Sequence, residues 1–195
     1  MNGWVVAGWW LVQVTVLAWL AVEIVLQVRQ YRQGGKATVT EWGSLGVITV
    51  SIIVGNVLAR LALRHLPPFA LGIPLGARLA LALPVSWVGI GFRLWSIRTL
   101  GRFFRGVVHV QVEHDVIQHG PYRLLRHPSY AGALLAVLGF SIIFDNVASI
   151  VLFVGCALLG VLYRIRVEER VLSEQLGQAY RDYAARTRRL VPGLW

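Results

Sequence analysis

The chain has 195 residues, 56% of them hydrophobic and only 14% charged, a balance that excludes an ordinary soluble domain and points to a polytopic membrane protein. The formal net charge of +10 is almost all arginine, with Lys36 the only lysine, and the arginines flank apolar runs; they read as topology determinants facing anionic lipid, with no nucleic-acid partner expected. The single cysteine, Cys156, lies inside an apolar run, which excludes an internal disulfide and leaves it a small core residue.

Residues 4–28 form the first apolar run. It opens MNGW, without a basic leader or a small-residue cleavage site, and runs through Glu23 into the basic stretch from Arg29. It is expected to be retained as a span. Residues 29–41 (RQYRQGGKATVTE) form a polar loop with a Gly-Gly break, and residues 42–63 a second span containing Asn56 and Arg60. A Pro- and Gly-rich connection, 64–76, leads to a third span at 77–97, expected to kink at Pro84. The segment 98–127 is too polar to span. Residues 131–144 are the core of a fourth span that opens near Pro128, and 147–163 the core of a fifth. Only Asp145 and Asn146 join these two, so a tight antiparallel hairpin is expected.

Residues 164–189 are polar with a helical pattern. Leu172, Leu176, Ala179, Tyr180 and Tyr183 recur on one face, as in an amphipathic helix lying on the membrane or folding back over the ends of the spans. The fold class expected is therefore all-α: about five transmembrane helices and a C-terminal amphipathic cytoplasmic helix. The arginine distribution places the N-terminus outside. The loop 29–41, the segment 98–127 and the tail then lie on the cytoplasmic side. Trp9, Trp10, Trp42, Trp87 and Trp95 read as interface anchors.

One polar stretch stands out. HGPYRLLRHPSYAG, residues 119–132, abuts the apolar run ALLAVLGFSIIF. Polar groups so close to lipid are costly without partners. The hairpin brings this stretch beside YRIRVEER, residues 163–170, so Arg126, His127, Tyr130, Arg166, Glu168 and Glu169 are expected to converge on one pocket. A plainer reading stays open. Glu168 follows Arg164 by four residues and Glu169 follows Arg166 by three, the spacings of helix-face ion pairs. Gly89-Ile-Gly91 follows no strand, so it reads as a small-residue patch for close helix packing. His65, His109 and His119 lack metal-ligand company, and no metal site is expected.

GPYRLLRHPSYAG resembles the GPYR-x-x-RHPxYxG signature of integral-membrane methyltransferases, the isoprenylcysteine carboxyl methyltransferases and related phospholipid methyltransferases. HDVIQHGPYR resembles their upstream motif, EER at 168–170 their paired-Glu motif, and GQAYRDYAARTRRLVPGLW their tail. The resemblance covers residues 100–195. It implies a membrane-helix part, 1–97, and a methyltransferase core, 98–195, that binds S-adenosyl-L-methionine without a Rossmann domain. In that core Arg126 or Arg123 would pair with the cofactor carboxylate, and Glu168 and Glu169 would take its ammonium or ribose hydroxyls. Tyr122, His127 and Tyr130 would hold the adenosyl part, and the backbone from His114 through Val116 to Gly120 would line the adenine.

The reaction implied is in-line methyl transfer to a lipophilic acceptor entering sideways from the bilayer near Pro84, an isoprenylcysteine-type carboxylate being favoured. Arg166, or else Arg126, would orient that carboxylate. Were the acceptor a phospholipid amine, Glu168 or Glu169 would serve as base. An NADPH-dependent membrane sterol or polyprenol reductase and a non-enzymatic membrane scaffold are the remaining readings.

Overall fold

The computed structural model describes residues 3–32, 37–41, 43–101, 108–111 and 116–193. Five helices carry the fold: α1 (Gly3–Arg32), α2 (Gly43–His65), α3 (Leu75–Leu100), α4 (Pro128–Ser141, prolonged by a 3-10 turn, Ile142–Phe144) and α5 (Val147–Arg186). Of these, α1, α2, α3 and α5 are long and apolar enough to cross a membrane. The fourth expected span is shorter: Pro128–Phe144 rises about 25 Å, against a hydrocarbon core of ~30 Å.

The body is all-α, as its composition implies. Its one addition among the described residues is a two-stranded antiparallel ribbon, β1 (Ala37–Glu41) with β2 (Val108–Gln111). The β-branched Thr38, Val39, Thr40, Val108 and Val110 favour that conformation. The ribbon brings the loop after α1 and the segment after α3 to the same end of the bundle.

The opposite end is tied by polar bonds. Asp145 takes a left-handed conformation (φ 55°), which a short polar side chain tolerates, and turns the chain between α4 and α5. Its carboxylate accepts from Ile73 N–H at 3.0 Å, and its carbonyl from Leu71 N–H at 3.0 Å. Asn146 caps α5 by accepting from Ser149 N–H at 3.0 Å and donates to Leu66 O at 2.9 Å.

Helices α3 and α4 pack backbone to backbone. A Cβ on Gly89 would stand 2.4 Å from Ala136 N and 2.7 Å from Gly132 O, whereas one on Gly91 would meet nothing. The small-residue reading of the Gly-x-Gly pair therefore holds at its first glycine alone. Helix α3 continues through Pro84, which lies on its exposed side while Ala82 and Ser86 are buried. Helix α2 pairs with α5, where Gly55 faces Cys156 and Phe153. Helix α1 is the most exposed, with Trp10, Leu17 and Ile24 each more than 60% accessible. In water that surface would drive association; in a bilayer it faces its own solvent. A bidentate ion pair holds α1: Arg93 of α3 donates to both oxygens of Glu23 and, at 2.7 Å, to Ser129 Oγ at the start of α4.

Candidate functional site

The site lies at the ribbon end, where the turn before α4 meets the far part of α5. Gly120 takes a left-handed conformation (φ 58°) against Thr99 and opens a 3-10 turn, Gly120–Arg123, with Pro121 in its first positions. Leu125 then pairs with Arg188 of the tail in an isolated parallel bridge. Arg126 N–H donates to Arg188 O at 2.6 Å, His127 N–H to Arg189 O at 3.1 Å, and Arg188 N–H to Leu124 O at 3.1 Å. Pro128 starts α4. The tail reaches this turn because α5 departs from helical geometry at Gly177 (φ 57°, ψ −129°). The fifth span and the amphipathic tail are thus two helical stretches joined directly at Gly177, and Tyr180 and Tyr183 beyond the break are buried while Ala179 is exposed.

The two adjacent glutamates do different things. Glu169 is surrounded: Oε1 accepts from Arg126 Nε at 2.8 Å and stands 3.3 Å from His127 Nε2, and Oε2 accepts from Arg189 Nε at 2.9 Å. Arg126 also donates to the carbonyls of Ala184 and Thr187, capping the last turn of α5. Tyr183 completes the clamp, its hydroxyl donating to Tyr122 O at 2.8 Å and Leu125 O at 3.2 Å. Beyond the Gly177 break, burial pushes the Tyr183 phenol up to about 12, and that neutral donor suits two carbonyl acceptors. Tyr122, in the turn, is also pushed up, first by burial and then by the nearby Glu168 charge.

Glu168 belongs to a different row. Its Oε2 accepts from Tyr130 Oη at 2.7 Å, Tyr130 Oη accepts from Arg164 Nε at 2.7 Å, and Arg164 Nη1 donates to Ser44 Oγ at 2.7 Å. The row crosses α5, α4 and α2. Glu168 Oε1 has no hydrogen-bond partner among the described residues. Beyond the Gly177 break, the buried hydroxyl of Tyr180 also lacks one among the described residues. His127 stacks on Tyr130 with ring centroids 5.7 Å apart.

The structure thus gathers Tyr122, Arg126, His127, Tyr130, Glu168 and Glu169 at one place, with Gly120 opening the turn that carries Tyr122; Val116 is half-buried. His114 lies outside the described residues. Arg166 and Arg123 are exposed and make no hydrogen bond or ion pair to described residues. The arginine that faces inward is Arg164, 2% exposed. Its spacing of four from Glu168 was the available signal, but the two meet through the Tyr130 hydroxyl, which no spacing on one helix reveals. Glu169 likewise faces Arg126, His127 and Arg189.

S-adenosyl-L-methionine would need an acceptor for its donors and a donor for its oxygens. The open Glu168 oxygen and the orphaned Tyr180 hydroxyl provide both, so the residues present fit that group; Arg126 and Glu169 are committed to each other and to the tail.

The phospholipid methyltransferase family model matches residues 77–179, from the start of α3 to just past the Gly177 break. The chain is 34% identical over 107 residues to a probable protein-S-isoprenylcysteine O-methyltransferase of Oryza sativa subsp. indica, covering 54% of this chain and 56% of that one. It is 36% identical over 99 residues to protein-S-isoprenylcysteine O-methyltransferase A of Arabidopsis thaliana, covering 50% of each. The chain thus spans about half the length of the curated relatives it matches. Among solved structures, a eukaryotic intramembrane Ras methyltransferase (isoprenylcysteine carboxyl methyltransferase) matches with a TM-score of 0.54 and 25% identity, over 75% of this chain and 52% of that one. With the model spanning more than half of its residues and every charged group of the inner row inside that span, the chain belongs to the phospholipid methyltransferase family.

Proposed function

We propose that the protein is a multi-pass membrane methyltransferase that uses S-adenosyl-L-methionine to O-methylate the carboxylate of a lipophilic, isoprenylcysteine-type acceptor. The observation that carries this reading is the row Ser44–Arg164–Tyr130–Glu168 beside the 120–127 turn. It sets a buried cation and an open carboxylate next to each other at the end of a lipid-facing bundle. The names of the relatives support the acceptor class.

When bound, the cofactor supplies an electrophilic methyl group. The chain's own residues do the rest. Glu168 offers Oε1 to a donor of the cofactor, while Tyr122 and the His127–Tyr130 stack wall the adenosyl part. Arg164, rather than exposed Arg166, orients the acceptor carboxylate, with Tyr130 and Ser44 fixing the guanidinium plane. A carboxylate is ionised at neutral pH, so the residues need only position it and exclude water. Close packing seals α3 against α4 at Ala82, Ser86 and Gly89, so the acceptor enters beside α1, the most exposed helix. The site faces the cytoplasm, the side that the arginine distribution assigns to the ribbon end.

The test is calorimetric binding of S-adenosyl-L-methionine and S-adenosylhomocysteine to the detergent-purified protein, followed by methyl transfer to an N-acylated S-prenylcysteine. Binding of both ligands and formation of a base-labile methyl ester are expected. Transfer to a phosphatidylethanolamine instead would move the acceptor to an amine, with Glu168 as base. Binding of NADPH and neither adenosyl ligand would overturn the methyltransferase reading.

A further inference from the structure

The pair Glu23–Arg93 does more than fasten α1. We infer that Arg93 is the entry site for the acceptor's carboxylate, and that Glu23 is a built-in stand-in which the incoming carboxylate displaces. This rests on the acceptor reading above.

Depth in the bilayer favours it. Asp145 ties the α4–α5 turn to Leu71 and Ile73, so α3 and α5 set out from one level. From Leu75 to Arg93 the rise is about 27 Å, and from Val147 to Arg164 about 26 Å. Both arginines therefore stand just inside the edge of a hydrocarbon core of ~30 Å. A lipophilic acid whose chain lies among the acyl tails holds its carboxylate at that level. Arg93 is on the side of α1, where the acceptor arrives, and Arg164 on the side of α2.

Geometry and charge name the ligand. Arg93 presents Nε and Nη2 to the two oxygens of one carboxylate, the two-point contact by which a guanidinium recognises that group. Its third arm, Nη1, donates to Ser129 Oγ at 2.7 Å and fixes the fork. The Arg93 backbone lies so close to α4 that a Cβ on Gly132 would stand 2.6 Å from Arg93 N. The fork is thus mounted on the first turn of α4, beside the residue preceding Tyr130, which bonds Arg164.

Glu23, by contrast, rides on the most exposed helix and accepts from Trp19 Nε1 of that same helix at 3.0 Å. Exchange replaces one carboxylate by another of the same charge and shape, so Arg93 is never left unpaired in the bilayer. The released Glu23, 19% exposed at its side chain, keeps the Trp19 bond. An amine cannot take its place, because a guanidinium has no acceptor to offer. Arg93 then admits the carboxylate, and Arg164 orients it for transfer.

The test measures methyl transfer from S-adenosyl-L-methionine to an N-acylated S-prenylcysteine by full-length wild type, Glu23→Gln and Arg93→Lys in detergent. The matching carboxamide serves as competitor, and S-adenosylhomocysteine affinity and unfolding temperature are read alongside. Glu23→Gln removes the competing charge, so the acceptor's KM should fall roughly tenfold, with the change in KM and not in kcat. Arg93→Lys keeps the charge but loses the fork, so KM should rise roughly tenfold. The carboxamide brings no charge to Arg93, and its inhibition constant should move little. S-adenosylhomocysteine should bind all three proteins alike.

A KM unchanged or raised in Glu23→Gln overturns the inference, since a purely structural tie would behave so. A fall shared equally by the carboxamide also overturns it, because a loosened α1 would admit any lipophile. Failure of Glu23→Gln to fold does the same: a pair that folding requires is not one the acceptor displaces. Should Arg93→Lys fail to fold, the Glu23→Gln comparison decides alone. Wild type that binds S-adenosylhomocysteine but methylates no carboxylate would instead refute the acceptor reading, and the inference with it.

Discussion

Glu168 and Glu169 are neighbours of identical chemistry, and replacing each by alanine is expected to give opposite results. Glu169 is only 15% exposed at its side chain and meets Arg126, His127 and Arg189 at once. Removing one partner from a buried ion pair costs about 3–5 kcal/mol. Arg189 is 33% exposed and regains water, which puts the expected loss near the lower end, about 3 kcal/mol. The loss falls on the contacts that dock the tail. Glu169→Ala should therefore lower the unfolding temperature sharply and open the chain to protease near residues 184–190. Glu168→Ala loses a single hydrogen bond, from a Tyr130 hydroxyl that keeps its bond from Arg164. It should cost only about 1 kcal/mol of stability while weakening S-adenosylhomocysteine more than tenfold. Thermal unfolding, limited proteolysis and calorimetry on the three proteins decide the matter. Equal destabilisation by the two substitutions, or a protease-resistant tail in Glu169→Ala, would refute the division of roles.

Gly89→Ala forces α3 from α4 and should destabilise by about 2 kcal/mol or more, because the atoms it meets are backbone; Gly91→Ala should be silent, and the pair of unfolding temperatures checks both. Arg164→Lys should abolish methyl transfer while sparing S-adenosylhomocysteine binding, whereas Arg166→Lys should leave both unchanged; single-turnover assays beside calorimetry separate them. Tyr183 has its pKa raised in the folded state, so its contribution is fully present below the ordinary phenol value near 10 and is lost as pH rises through about 12. Unfolding temperatures of wild type and Tyr183→Phe, different at pH 8, should converge as pH passes that window.

How much of this was legible in the sequence depends on how far apart the interacting groups lie along the chain. The helices were legible because a span is a local property: a long apolar run writes its own length, and Pro128, Asn146 and the Asp145–Asn146 turn mark ends by their own chemistry. The ribbon was not, because β1 and β2 are short and each looks like loop until the other is beside it. The cluster at 120–130 and 163–170 was legible as a neighbourhood, since two antiparallel helices joined by two residues must bring their far ends together. What that argument could not supply is facing. One helix carries Arg164, Arg166, Glu168 and Glu169 within two turns, and only the packing of α2 and α4 against it decides which of them turn inward. Arg164 points to Ser44 and Tyr130, Arg166 points outward, Glu168 keeps an open oxygen, and Glu169 closes on the tail. The same limit hid Glu23 and Arg93: each reads alone as a charge near a span end, and 70 residues separate the two halves of the pair. Charges buried at that depth persist only with partners. A lone charge inside an apolar run therefore implies an opposite charge on some other helix, and the sequence states that demand without saying which helix meets it.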